Sequence, residues 1–527
     1  MDRRAILKGA VEGLVLAATG NVVFAAEDAN QHQATLDNIN STNADRSAYN
    51  PTGAGVVPST VQAKLRECVS VKDFGAAGDG VKDDSVALQA AINNARGKKV
   101  YLPKGTYKTT TTLTINSVVS GSATPFELYG DGFDANGGTG GTSINFSGAS
   151  DCILIANTGG TDTQITLRDF GVFGDGINKS GGHGINVQNC SNVRLRSMWI
   201  QGHRDSGVNF FKCYGASIED SYVFRNRLFG IRCNQAFNLG SIRRCKLYQN
   251  GMVWSQMTAA IYIYGRGNEN LGVAIEDSDV SYSGSGMSWY RRSDFSLSSI
   301  KVSSGVATAT TASAHGRATS DQVFITGSTT NALNSVYPAT ITVTGPTTFT
   351  FATSVGNGHY TESTLRIAPY ACGIFIADAY GITIGAYCED SAGLAAYIGP
   401  NVHGFDMRGG YWQGANGSGL ILLDNPSHGK IGAMRMGGTN AGVAAQITNR
   451  PHGVDIQTSV SLTASASIAY PTFKLVDGTY YGAAAPTTGT WLKGTYIKQS
   501  TPAVGQPKGW YCTAGGTPGT WVSEGSL

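Results

Sequence analysis

A short phrase recurs at a fixed spacing through the middle of this chain: glycine, an aliphatic residue, any residue, then another apolar one. It reads Gly184-Ile185-Asn186-Val187, Gly207-Val208-Asn209-Phe210 and Gly230-Ile231-Arg232-Cys233, with intervals of 207 − 184 = 23 and 230 − 207 = 23. Looser copies follow at Ala260-Ile261-Tyr262-Ile263, Gly373-Ile374-Phe375-Ile376, Gly393-Leu394, Gly419-Leu420-Ile421-Leu422 and Gly453-Val454-Asp455-Ile456. A second phrase runs through Val193-Arg194-Leu195, Ala216-Ser217-Ile218, Gly240-Ser241-Ile242 and Val273-Ala274-Ile275. Alternating apolar residues mark short strands, and a constant period in the low twenties marks a solenoid. No helical pattern separates the strands, which excludes leucine-rich repeats and βαβ units. The fold class predicted is all-β, a parallel β-helix.

Composition agrees with that reading and removes several functions. Seventy glycines and only 14% charged residues suit many tight turns between strands. A net charge of +3 is too small to imply nucleic acid as a partner. The sequence has no P-loop and no dinucleotide fingerprint, so no cofactor is expected. After the N-terminus there is no apolar run of about 20 residues to span a membrane. Nine cysteines with no C-x-x-C pair or zinc spacing read as small reduced core residues, and no metal site is expected.

Ahead of the repeats, Val69-Ser70-Val71-Lys72-Asp73-Phe74-Gly75 runs into Gly78-Asp79-Gly80 and Asp83-Asp84-Ser85. Leu88, Ala91, Ile92 and Ala95 then form one apolar stripe, which predicts a helix able to plug the open end of a solenoid. Asp73, Asp79, Asp83 and Asp84 read as turn and cap residues. Residues 297–368, rich in Thr, Ser, Val and Ala, interrupt the repeats and are expected to form an inserted small β-domain, able to bind sugar, touch a neighbouring subunit or act as a spacer. The β-helix therefore occupies 69–296 and 369–470. Residues 471–527 form a Trp/Gly-rich C-terminal module whose tryptophans either stack on sugars or make a miniature core. Residues 27–68 are a linker or attachment segment. Arg3-Arg4 before an apolar run ending at Ala26 makes 1–26 either a twin-arginine-like signal peptide or an attachment helix.

The Val69–Ser85 opening, followed by Val100-Tyr101-Leu102-Pro103-Lys104-Gly105-Thr106-Tyr107, resembles the pectate-lyase-like proteins, which are right-handed parallel β-helices acting mostly on polysaccharides. With Tyr49-Asn50-Pro51-Thr52-Gly53-Ala54-Gly55 and Thr60-Val61-Gln62-Ala63-Lys64-Leu65-Arg66-Glu67 upstream, residues 45–527 resemble phage tailspikes and tail-associated depolymerases. That resemblance implies a homotrimer on the virion that binds and often cleaves a bacterial capsule, exopolysaccharide or O-antigen, joined to the phage tail or baseplate through its N-terminus. A non-catalytic carbohydrate-binding fibre and an exported bacterial enzyme are the alternatives.

Glycoside hydrolysis needs two carboxyl groups about 5–9.5 Å apart. β-Elimination needs a base near C5 and a cation for the uronate. Rungs of a β-helix lie about 4.8 Å apart, so partners must come from the same or neighbouring rungs. Arg196, Glu219, Arg243 and Glu276 align as one ladder of alternating charge and are expected to be structural. Polar residues also gather just before the repeating strands. Gly182-His183-Gly184 and Asp205 resemble pieces of the polygalacturonase pattern, although its Asn-Thr-Asp and Asp-Asp elements are missing. Two patches compete. The first offers Asp205 and His203 as acid/base, with His183, Arg204, Arg225 and Arg227 binding an acidic sugar. The second offers Glu389 and Asp390 as catalytic carboxylates beside Gln413 and Trp412, with an aromatic platform to bind the sugar. About four rungs, roughly 19 Å, separate Asp205 from Glu389.

Overall fold

The computed structural model describes most of residues 47–432 and 480–527, together with strands at 14–16, 22–24, 435–437, 445–448 and 452–456. It leaves out 1–13, 17–21, 25–46, 158–163, 266–269, 283–294, 415–420, 438–444 and 457–479, with further small gaps elsewhere. The chain divides into two compact units, Met1–Val69 and Ser70–Leu527. In the first, Ala48–Tyr49 pairs antiparallel with Ser59–Thr60, and Thr60 caps the short helix Val61–Leu65. The signal peptide or attachment helix expected over 1–26 lies largely outside the described residues. Its described part is the antiparallel pair Leu14–Leu16 and Val22–Phe24.

The second unit is a parallel β-helix. Successive rungs stack three strands in register, and the inward residues form three apolar columns. One runs Leu167, Leu195, Ile218, Ile242, Ile275, Ile384, Met407. The next runs Val172, Ile200, Val223, Leu247, Val280, Cys388, Trp412. The third runs Ile153, Ile185, Val208, Ile231, Ile261, Ile374, Ala396, Ile421. Every one of these side chains is fully buried, which is why the period is so strict: a one-residue slip would turn a whole column outward.

The bend between the first and second sheets is made by one left-handed residue per rung: Asp169, Ser197, Asp220, Arg244 and Asp277, with φ of 64°, 50°, 51°, 49° and 51°. Short polar side chains adopt that conformation most readily, which accounts for Asp220 and Asp277. The glycine of the repeated phrase has a different cause. A Cβ on Gly184 would stand 2.6 Å from the carbonyl oxygen of Gly207, and one on Gly207 would stand 2.9 Å from that of Gly230. The Arg196, Glu219, Arg243, Glu276 ladder forms in register, with Arg243 Nε 3.1 Å from Glu276.

The helix Ser85–Asn94 buries Leu88, Ala91 and Ile92, and Gln89 fastens it to Thr114 by two backbone bonds of 2.7 and 2.9 Å. The aspartates ahead of it hold turns. Asp73 and Ser70 form a capping box, and Asp79 accepts from Val81 and Lys82. Asp84 sits at the helix N-cap position without a capping bond, because its carboxylate takes the N–H groups of Ala77 and Gly78 at 2.7 and 2.8 Å. Eight of the nine cysteines are buried, Cys68 being the exception.

The inserted β-domain has its own core, including Ile300, Val302, Val323, Phe349, Phe351 and Ile367. Phe324 reaches out of it into a cluster with Leu228, Phe229 and Phe375 of the β-helix. Arg317 lies 4.0 Å over the ring of Trp254, which fastens the preceding loop to the insertion as well. In the C-terminal module Trp491, Ile497, Trp510 and Cys512 form the buried cluster, with Trp521 edge-on to Trp491. The tryptophans there make the miniature core.

Candidate functional site

The site begins at the turn between the second and third sheets. Its floor is a row of buried side chains, one per rung. Asn250 Oδ1 accepts from the backbone and side-chain nitrogens of Asn226, at 3.1 and 3.0 Å. Asn226 Oδ1 accepts from the backbone N–H of His203 at 3.0 Å. Both asparagines are fully buried. The row fixes the turn and sets Asp205 and Ser206 at its lip.

His203 continues that row inward. It is 2% exposed, and its Nε2 lies 3.2 Å from the carbonyl of Val172, to which it donates as a neutral ring. Burial pushes its pKa down to about 4. A ring enclosed in this way cannot exchange protons with a substrate, so the acid/base role expected of His203 is corrected to a structural one.

His183 and Asp205 lie on the accessible side. His183 Nδ1 accepts from the Ser206 backbone N–H at 3.4 Å and is 3.6 Å from Asp205 Oδ1, the two side chains being 13% and 22% exposed. The Ser206 hydroxyl donates to that same Asp205 oxygen at 2.7 Å. Burial lowers the His183 pKa; Asp205 and Asp151 oppose the shift, and the Arg232 guanidinium adds to it. At neutral pH His183 is therefore uncharged, with carboxylates on hand to stabilise its cation. Among the described residues its Nε2 has no hydrogen-bond partner.

Two members of this cleft were not anticipated. Asp151 accepts from the His183 backbone N–H at 2.8 Å and from Asn186 Nδ2 at 2.6 Å. It stands just before its strand as Asp205 does, but that strand opens with Cys152 where the phrase has glycine, so the repeat does not flag it. Arg232 occupies the variable slot of the phrase, in register with Asn209 and, one rung further, Asn186. Three polar residues in successive variable slots were the signal.

The arginines that were expected here are held elsewhere. Arg204 grips Asp175 through Nε and Nη2 at 3.1 and 2.9 Å and donates to the Ser147 carbonyl at 3.2 Å. Arg225 rests on the Phe224 ring and donates to Gln249 at 2.8 Å, on the second-sheet side. Arg227 is half-buried, its backbone N–H bonded to the His203 carbonyl at 3.0 Å.

The second patch lies four rungs away, as the register Val208, Ile231, Ile261, Ile374, Ala396 shows. Glu389 accepts from the Tyr387 hydroxyl at 2.9 Å, and Tyr387 stacks on Tyr411 at 5.2 Å. Trp412 is fully buried at the inward position beside Cys388, so the sugar platform expected there is corrected to a core residue. The side chains of Asp390 and Gln413 lie outside the described residues. Further up this sheet's outer face Trp199 stacks on Tyr222 at 4.9 Å. Among the described residues no helix is long and apolar enough to cross a membrane.

Comparison with known proteins matches residues 68–257 to the family model of rhamnogalacturonase A/epimerase, pectate lyase-like. Mannuronan C5-epimerase AlgE4 of Azotobacter vinelandii is 36% identical over 123 residues, 21% of this chain and 20% of that protein. AlgE6 of the same organism is 62% identical over 42 residues, 7% of this chain and 5% of that protein. The chain thus spans only a small part of the curated relatives it matches. Among solved structures, ORF18 of Geobacillus virus E2 aligns over 98% of this chain and 83% of its own at 14% identity and a TM-score of 0.48. The Dettilon tailspike protein aligns over 91% and 79% at 13% identity and a TM-score of 0.42.

Proposed function

We propose that this chain is a tailspike-type depolymerase that binds an acidic bacterial surface polysaccharide along the third sheet and cleaves it by β-elimination at the His183 cleft. One observation carries the reading: a neutral histidine, held against Asp205, shares its cleft with the Arg232 guanidinium. In the tautomer that gives up the Ser206 N–H and turns Nδ1–H towards Asp205, His183 Nε2 takes the proton on C5 of a uronate, Asp205 stabilises the imidazolium that forms, and Arg232 neutralises the carboxylate whose charge grows as the proton leaves. The bond from C4 to the glycosidic oxygen then breaks, water protonates the departing oxygen, and an unsaturated uronate remains. Removal of the same proton begins any C5 epimerisation, and the matched relatives are mannuronan C5-epimerases. A homotrimer on the phage tail, attached to the tail or baseplate through the N-terminus, follows from the sequence resemblance at Tyr49–Gly75.

Hydrolysis is the second reading, favoured by Asp151 and Asp205 meeting the same histidine. Incubation with a panel of capsules, exopolysaccharides and O-antigens, following both reducing ends and unsaturated-uronate absorbance, tests both. Reducing ends with absorbance are expected. Reducing ends without absorbance would transfer the reaction to the carboxylate pair, and binding without either signal would make the chain a carbohydrate-binding fibre.

A further inference from the structure

The cleft contains two buried polar atoms that the folded chain leaves unsatisfied. Asn209 is 5% exposed, and its Oδ1 has no hydrogen-bond partner among the described residues; neither has Arg232 Nε on the next rung. Buried polar atoms of a native protein are nearly always paired, so an orphan acceptor next to an orphan donor calls for a cause.

The orientation of Asn209 is determined by its neighbours. The Asp151 carboxylate only accepts, so Asn186 must present Nδ2 to it, at 2.6 Å. Asn186 Oδ1 then accepts from Asn209 Nδ2 at 2.9 Å. That relay leaves Asn209 Oδ1 as a fixed acceptor beside Arg232. The two residues are in register on adjacent rungs, and neither orphan atom is bonded to the other. The arginine lies on the Phe229 ring, its guanidinium carbon 5.6 Å from the centroid, and a swing of this one flexible side chain opens the gap.

Resting on the polysaccharide reading above, we propose that Asn209 and Arg232 form a subsite that reads a free sugar hydroxyl, which donates to Asn209 Oδ1 and accepts from Arg232 Nε. Charged and acylated groups do not fit both atoms. A carboxylate would satisfy Arg232 and repel the Asn209 oxygen; an ammonium would do the reverse; an ester cannot donate. The Arg232 Nη groups remain for the uronate carboxylate. The subsite makes the protein selective for glycans whose hydroxyl at this position is unsubstituted, since a site built around a hydrogen bond strongly rejects a ligand that cannot make it.

The test uses the full chain on immobilised bacterial capsules, exopolysaccharides and O-antigens, each presented after mild alkaline de-esterification and again after full O-acetylation. Wild type is expected to bind a de-esterified polymer at least about tenfold more tightly than its acetylated form. Arg232→Lys, which keeps the positive charge and loses Nε, is expected to reduce that ratio below about threefold. Equal wild-type binding to both forms, or an unchanged ratio in Arg232→Lys, overturns the subsite and leaves the depolymerase reading standing. Binding to no polymer in either form overturns both. Arg232→Met separates recognition from a structural role: losing an unpaired donor should leave Tm within about 2 °C, and a large fall would make Arg232 part of the framework instead.

Discussion

His183 Nδ1 stands 3.6 Å from Asp205 Oδ1, on the adjacent turn of the β-helix. Both residues come just before the third-sheet strands, whose Ile185 and Val208 pair in register, and Asp205 stands one residue further back than His183, so the turn must bring its carboxylate forward. If His183 takes the proton and Asp205 stabilises its cation, the two changes should differ in degree. His183→Gln is expected to lower kcat about 10³-fold with KM nearly unchanged, and Asp205→Asn about 10²-fold. Initial rates of unsaturated-uronate formation measure both.

The pH profile provides an independent check. Burial holds the His183 pKa below its ordinary value, so kcat/KM should rise with pH along a limb whose midpoint lies below that of a free histidine. Asp205 raises this pKa and Arg232 lowers it. The rising limb should therefore move to lower pH in Asp205→Asn and to higher pH in Arg232→Met. A limb that stays in place in both variants would remove His183 as the titrating base.

Much of this cleft was legible in the repeats, and the reason some of it was not is physical. The 23-residue phrase located the turn ahead of each third-sheet strand, and with it His183 and Asp205. It could not separate the accessible histidine from the enclosed one. Whether a turn residue faces out or joins the row formed by Asn226 and Asn250 depends on side-chain bonds that cross rungs. Trp412 reads as a platform from its residue type beside Glu389 and Asp390, with no repeat phrase to fix which way it faces. Its register beside Cys388 assigns it to the inward column. Asp151 escaped because its strand lacks the leading glycine.

His203 makes stability depend on acid. Its folded pKa of about 4 lies below the ordinary value near 6.5, so the unfolded chain takes up the proton first as pH falls. Its contribution is complete above about pH 6.5 and disappears as pH drops through 4, amounting to about 3 kcal/mol over that window. Tm measured from pH 7 to 4.5 should fall less steeply in His203→Gln than in wild type. Equal slopes would mean the ring is not buried neutral.

Asn226 bears on the turn itself. Asn226→Ala leaves the buried His203 backbone N–H without its acceptor and takes one of its two bonds from Asn250 Oδ1, at a cost of about 1–3 kcal/mol. Because the row sets the lip that carries Asp205, the variant should lose activity before it unfolds, with kcat falling at temperatures where far-UV circular dichroism is still that of wild type. Trp412→Ala offers the contrast. Emptying a fully buried site of that size costs about 3–5 kcal/mol, yet it lies several rungs from the cleft. Its Tm should drop while kcat of the folded protein is kept, and a loss of kcat without a loss of Tm would return Trp412 to the binding surface.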